Sequence, residues 1–216
     1  MQKSNLDNDL DKITNGINKI KISKKGNIKP TTPINTRKKK GDDKYTKEIL
    51  LEQFNIHIKY VESRLSLKNL GIKFRLSSIP EDISENIIKF IIHKNGDTTS
   101  SWNCSGDLIS DIEGTQECKC FTSTGPLSFT PTSNWDVLYF LNARNWLKRR
   151  FTLYRIKLKR TSCEFSNLQI NKKKKETYEQ QAKQGRRPRL SWKDIKLQLE
   201  PFVEKIFEGS IDEICL

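Results

Sequence analysis

The 216-residue chain reads as an α/β protein in which helices flank a mixed central β-sheet. Three observations predict this. Apolar residues recur at helical steps in two stretches of the first half of the chain, 47–65 and 79–92. Strand-like runs follow at 138–141, continuously apolar, and at 151–158, alternating. Between these two kinds of segment, the polar stretch Ser110, Asp111, Ile112, Glu113, Gly114 closes on glycine and reads as a hairpin turn. Strands and helices mixed in this way bury their apolar faces by packing helices against a sheet.

Residues 1–43 are dominated by Lys, Asn, Asp and Thr without a sustained apolar period, so a disordered basic tail is expected there. Residues 44–216 suffice for one core and are expected to form a single domain. Ile49, Leu50, Phe54, Ile58, Val61 and Leu65 recur at three- and four-residue steps and predict an amphipathic helix. The next helix is expected over 79–92. Pro80, Glu81 and Asp82 suit its start, and Ile83, Ile87, Ile88 and Ile91 make one stripe. Leu138 to Leu141 predict a buried strand and 151–158 a half-buried one, with 146–150 between them. Ile195, Leu199, Phe202, Val203, Ile206 and Phe207 mark a final helix.

The hairpin carries the chemistry. In a strand successive side chains alternate faces, so Glu117 and Lys119 share one face while Cys118 and Cys120 share the other, core, face. The turn returns Asp107 beside Glu117. Two carboxylates placed so are ligands for a hard divalent cation, and a neighbouring lysine orients a water or stabilises charge on a phosphoryl group. The same pattern also occurs as a surface hairpin with three charges, in a chain with 31% charged residues.

Gly106, Asp107, Glu117, Cys118 and Lys119 resemble the catalytic motif of the PD-(D/E)xK nucleases, and the surroundings, roughly 79–211, resemble type II restriction endonucleases. Gly106 stands where the family has proline, which leaves the acids untouched. The resemblance implies a restriction-endonuclease-like core and a Mg2+-dependent endonuclease cutting double-stranded DNA at a short specific sequence. Asp107 and Glu117 would hold the metal, and Lys119 would position or activate the attacking water. A helix-borne acid often completes such a site; Glu85, beside the apolar stripe, is that acid or an exposed helix charge. The family resemblance also implies a homodimer on a palindrome and a cognate DNA methyltransferase as partner in a restriction-modification system.

Two segments are candidates for contact with DNA. Residues 121–135, leaving the catalytic strand, are rich in hydroxyls, Gly and Pro and read as a loop. Ser123, Thr124, Ser128 and Thr130 are its candidate contacts. The run from Gly185 through Arg186, Arg187 and Arg189 precedes a helix starting near Ser191; it is either a DNA-reading element or a solvated basic turn.

The net charge of +14 agrees with a polyanionic partner, although part of it lies in the runs Arg37 to Lys40 and Lys172 to Lys175. Five cysteines at irregular spacing, without nearby histidine, are expected as reduced buried thiols and not as a zinc site. His57 and His93 fall in expected helices as packing or surface residues. Of the four tryptophans, most large aromatics in such a domain anchor core or loops, and base stacking is the alternative. There is no phosphate-loop or nucleophile-elbow motif, and neither a secretory segment nor a membrane-spanning run is found, so an intracellular location and no membrane partner are expected. Two other readings stand beside a restriction-type enzyme. One is a repair or recombination nuclease of the same fold that reads DNA structure, and the other a non-catalytic basic nucleic-acid-binding protein.

Overall fold

A computed structural model of the chain describes residues 45–73, 76–103, 107–171 and 175–216. The expected tail 1–43 lies outside the described residues, as do Cys104, Gly106, Lys172, Lys173 and Lys174.

Helix α1 (Lys47–Ser66) begins where the Thr46 hydroxyl accepts from the Ile49 amide, and it buries Leu50, Phe54 and Val61. Helix α2 (Glu81–Lys94) follows, with Pro80 just before its first turn. Then come β1 (Ser101–Trp102), β2 (Leu108–Ser110), β3 (Gly114–Phe121), β4 (Pro126–Ser128), β5 (Val137–Asn142) and β6 (Arg150–Ile156). After the short helix α3 (Cys163–Ser166) lie β7 (Gln169–Asn171), β8 (Glu176–Thr177), helix α4 (Tyr178–Lys183), β9 (Arg189–Ser191) and helix α5 (Trp192–Gln198). Strand β10 (Val203–Ser210) and helix α6 (Ile211–Cys215) end the chain.

The main sheet has the order β1-β2-β3-β5-β6-β10. Only β3 and β5 pair in parallel; the other neighbours are antiparallel, so the sheet is mixed, as expected. Its central strand is covered on both faces. Along β5, Val137, Tyr139 and Leu141 enter a core shared with α1, α2 and α6, while Leu138 and Phe140 enter a second core with Phe129, Trp135, Tyr178 and Ile195. This two-sided burial is why 138–141 reads as an unbroken apolar run.

Four expectations need correction. Helix α2 is not apolar along one stripe alone. It also buries Ser84, Asn86, Lys89, Phe90 and Ile92, because it packs against α1, α6 and strands β3 and β5 at once. The final helix stops at Gln198, short of Phe207. Pro201 lies in a 3-10 turn, Glu200–Phe202, and Val203, Ile206 and Phe207 belong to β10. A bulge between Lys205 and Phe207 turns both Ile206 and Phe207 toward the core, which imitates helical spacing in the sequence. The loop 121–135 contains a strand, β4, which pairs with β9. Finally, of the thiols only Cys118 is buried among the described residues; Cys120 and Cys215 are half-buried and Cys163 is exposed.

Candidate active site

The β2–β3 hairpin is held at its turn and at its start. Gly114 opens β3 with φ +74°, and a Cβ there would come within 2.5 Å of the Asp136 carboxylate. That carboxylate accepts from the Thr115 amide at 3.0 Å and its hydroxyl at 2.8 Å, which ties β3 to the residue preceding β5. In the turn, Glu113 accepts from Tyr139 Oη and, at 2.9 Å, from Arg155. These contacts fix the strand from which the site projects.

Register then sets the acids. Leu108 faces Gln116, so Asp107 falls one step further along, beside Glu117. The Cys118 amide donates to Asp107 Oδ2 at 2.6 Å. Glu117 is 6% exposed, and its Oε1 lies 2.6 Å from Lys119 Nζ. Lys119 and Glu117 thus share one face, as the alternation predicts, and the Lys119 ammonium also lies 5.7 Å from the Phe129 ring centroid. A cavity of about 320 Å³ joins these elements; Glu81, Glu85, Asp107, Lys119, Thr122 and Ser128 are among its lining residues. Glu85 from α2 is therefore at the same cavity as Asp107. Glu117 is not among the lining residues; it is buried and paired with Lys119, which is.

The electrostatics follow from crowding. Burial first, then the neighbouring Asp107 and Glu81 carboxylates, raise the Glu85 pKa to about 8. Burial and the charge of Glu117 raise that of Asp107 to about 6, against the opposing effect of Lys119 and the Cys118 amide. Burial disfavours the Lys119 ammonium, but Glu117 and Asp107 outweigh it and hold its pKa above the ordinary lysine value. Acids that destabilise one another in a recess, next to a fixed cation, are suited to polyanion chemistry with a positive ion between them.

The residue range 45–198, more than half of the chain, matches the family model of the Bsp6I restriction endonuclease. The chain belongs to the Bsp6I restriction endonuclease family. The restriction-endonuclease resemblance and the α/β fold read from the sequence are thereby borne out. No curated protein and no solved structure matches the chain. Membership in this family makes the protein a nuclease acting on DNA. The matched range takes in the hairpin, α2 and the β4–β9 ribbon.

That ribbon joins two segments that are far apart in sequence. Pro126 faces Ser191, Leu127 faces Leu190 and Ser128 faces Arg189, so Ser128, which lines the acid cavity, has Arg189 as its strand partner. Arg187 and Arg189 are exposed, and Arg186 is engaged by Glu176. Ser123 and Thr124 do not line the acid cavity; they border a second one beside α5. Thr130 is exposed past the end of β4. Sequence reasoning singled out both segments and missed their pairing, because no local signal links strands so distant.

Among the described residues no group of three or more His, Cys, Asp or Glu side chains forms a ready cage for a metal ion. Asp107 and Glu117 nevertheless fit a hard cation: both offer only carboxylate oxygens, and their mutual repulsion is what such an ion relieves. Mg2+ is commonly bound by one or two carboxylates together with waters and substrate phosphates, without a protein cage. Among the described residues no helix is long and apolar enough to cross a membrane.

Proposed function

We propose that the protein is a Mg2+-dependent endonuclease of the PD-(D/E)xK type that hydrolyses double-stranded DNA at a short specific sequence, as type II restriction enzymes do. The observation that carries this reading is the meeting of Glu85, Asp107 and Lys119 at one cavity, with Glu117 paired to Lys119. Asp107 and Glu117 are the residues that would hold the cation. When bound, it neutralises charge developing on the phosphoryl oxygens and acidifies a water. Lys119, cationic through neutral pH, orients the attacking water and offsets charge at phosphorus. Glu85 brings a carboxyl group from α2 to the cavity and completes the acid set.

Binding is assigned to the ribbon and its surroundings. Ser128 lines the cavity and Arg189 is its strand partner, so a backbone phosphate or base edge entering the cavity would pass beside them. Arg186, Arg187, Ser123, Thr124 and Thr130 extend that surface. A homodimer would present two such sites to the two strands of a palindrome, and a cognate methyltransferase would protect host DNA. Digestion of plasmid DNA with Mg2+ tests the reading. Discrete fragments support it, a smear or junction-selective cutting favours a structure-reading nuclease, and intact DNA with a gel shift leaves a binding protein.

A further inference from the structure

A second cavity, of about 520 Å³, opens between the segment after β3 and helix α5. Its size is that of clefts that hold small ligands. Phe121, Tyr154 and Trp192 give it an aromatic wall. The Trp192 ring stacks on Phe121 with centroids 5.7 Å apart and meets Tyr154 at 4.8 Å with the planes tilted by 34°, yet Trp192 itself stays only half-buried. Among the described residues its cations are Arg144, Lys193 and Lys196, all exposed, against the acid Glu200. Lys196 Nζ lies 5.5 Å from the Tyr154 centroid and Arg144 Cζ 5.8 Å from that of Phe121, so positive charge runs along the aromatic wall.

The position of this cavity ties it to the acid site. Phe121 follows Lys119 by two residues on the same face of β3, a step of roughly 7 Å. Ser191, the last residue of β9, lines the cavity as well, so it lies between the ribbon and the Lys119 side of the sheet. Flat aromatic surface beside exposed cations is the combination that receives a base by its π-face and the flanking phosphates by charge. In a duplex that π-face is covered by stacked neighbours, so only a base withdrawn from the stack presents it.

We propose that this cavity takes up an unpaired nucleobase of the DNA strand that runs past Lys119, with Trp192 as its stacking partner and Arg144, Lys193 and Lys196 facing the adjoining phosphates. The inference rests on the reading of the chain as a DNA nuclease. It is tested with the full chain in Ca2+ and three duplexes of one sequence: fully paired, with a single extrahelical 2-aminopurine, and with an abasic bulge at that position. The 2-aminopurine bulge is expected to bind about tenfold more tightly than the abasic bulge, within the range for one stacked base, with its fluorescence quenched on binding. Trp192→Ala removes the preference and the quenching while the paired duplex still binds. Because Trp192 also packs on the core, Lys196→Glu, at an exposed position, is the second variant and lowers affinity for both bulges severalfold. Equal affinity for the two bulges without quenching, in protein that binds the paired duplex, overturns the base pocket and leaves the nuclease reading intact. Failure to bind any of the three overturns that reading, and the pocket with it.

Discussion

Glu117 and Lys119, neighbours on one face of β3, hold each other at 2.6 Å with little access to water. Truncating either leaves the other's charge without its partner in a dry recess, so alanine variants mix a folding loss of about 2–3 kcal/mol with any loss of chemistry. Isosteric changes avoid the added cavity, and binding in Ca2+ read beside cleavage separates a folding loss from a loss of chemistry. Asp107→Asn, Glu117→Gln and Lys119→Met are each expected to slow Mg2+-dependent plasmid cleavage by about 100-fold or more while binding in Ca2+ stays within a few fold. Cleavage near the unsubstituted rate would take that residue out of the reaction. Glu85→Gln is expected to give a smaller, partial loss.

The raised pKa values of Glu85, about 8, and Asp107, about 6, make stability depend on pH. Below about pH 3 these groups hold their protons folded and unfolded, so they exert no pH-dependent effect. As pH rises toward 8 the unfolded chain releases them first, and the fold, retaining protons, loses stability. With divalent ions chelated, Tm should therefore fall between pH 5 and 8, and less in Glu85→Gln. Adding Mg2+ at pH 8 should raise Tm of the unsubstituted protein and not that of Asp107→Asn. A Glu85→Gln profile parallel to that of the unsubstituted protein would contradict the origin assigned to the shift.

Arg189, strand partner of Ser128, is the test of sequence reading. If it reaches a base edge, Arg189→Ala should cost about 1–3 kcal/mol on the cognate site and much less on random DNA. Replacing Lys38, Lys39 and Lys40 together should weaken all DNA about equally and reduce the salt dependence. Equal losses on both DNAs for Arg189→Ala would make the ribbon a backbone clamp, and Ser128→Ala would then be measured in the same pair of assays.

Thiol reagents test how deeply the cysteine face of β3 is covered. Cys163, exposed, should label within the dead time of a slow assay, whereas buried Cys118, whose pKa burial raises well above that of a free thiol, should label only on unfolding. Cys118 and Cys120 both line the acid cavity, and Cys120 is the less buried, but burial pushes its pKa up to about 12, so it should label slowly too. Fast modification of Cys118 in folded, active protein would contradict the orientation of the strand.

Much of this was legible in the sequence where the signal is local. The spacing of Leu50, Phe54 and Val61 gave α1, and the polar turn before Gly114 placed Asp107 against Glu117. Where packing overrides periodicity, it was not. Ile206 and Phe207 both face inward at a bulge, and only Pro201 warned against a helix there. Helix α6 had a readable start in Ser210 and Glu213, a reciprocal cap three residues apart, which sequence reasoning passed over. The cavity beside Trp192 had no sequence signature, because its wall comes from β3, β6 and α5.

The β4–β9 ribbon joins only three residue pairs across some sixty residues of chain, while the β2–β3 hairpin closes over a turn of three. Closing so long a loop for so few bonds is expected late in folding, after the local hairpins and the central sheet. By the same ledger of order and reward it opens first, so its backbone amides should exchange with solvent well before those of β5. The surface assigned to the double helix thus rests on a strand pair held by few backbone bonds, and protection gained by Leu127 and Leu190 on addition of DNA would report how much of recognition is the finishing of the protein itself.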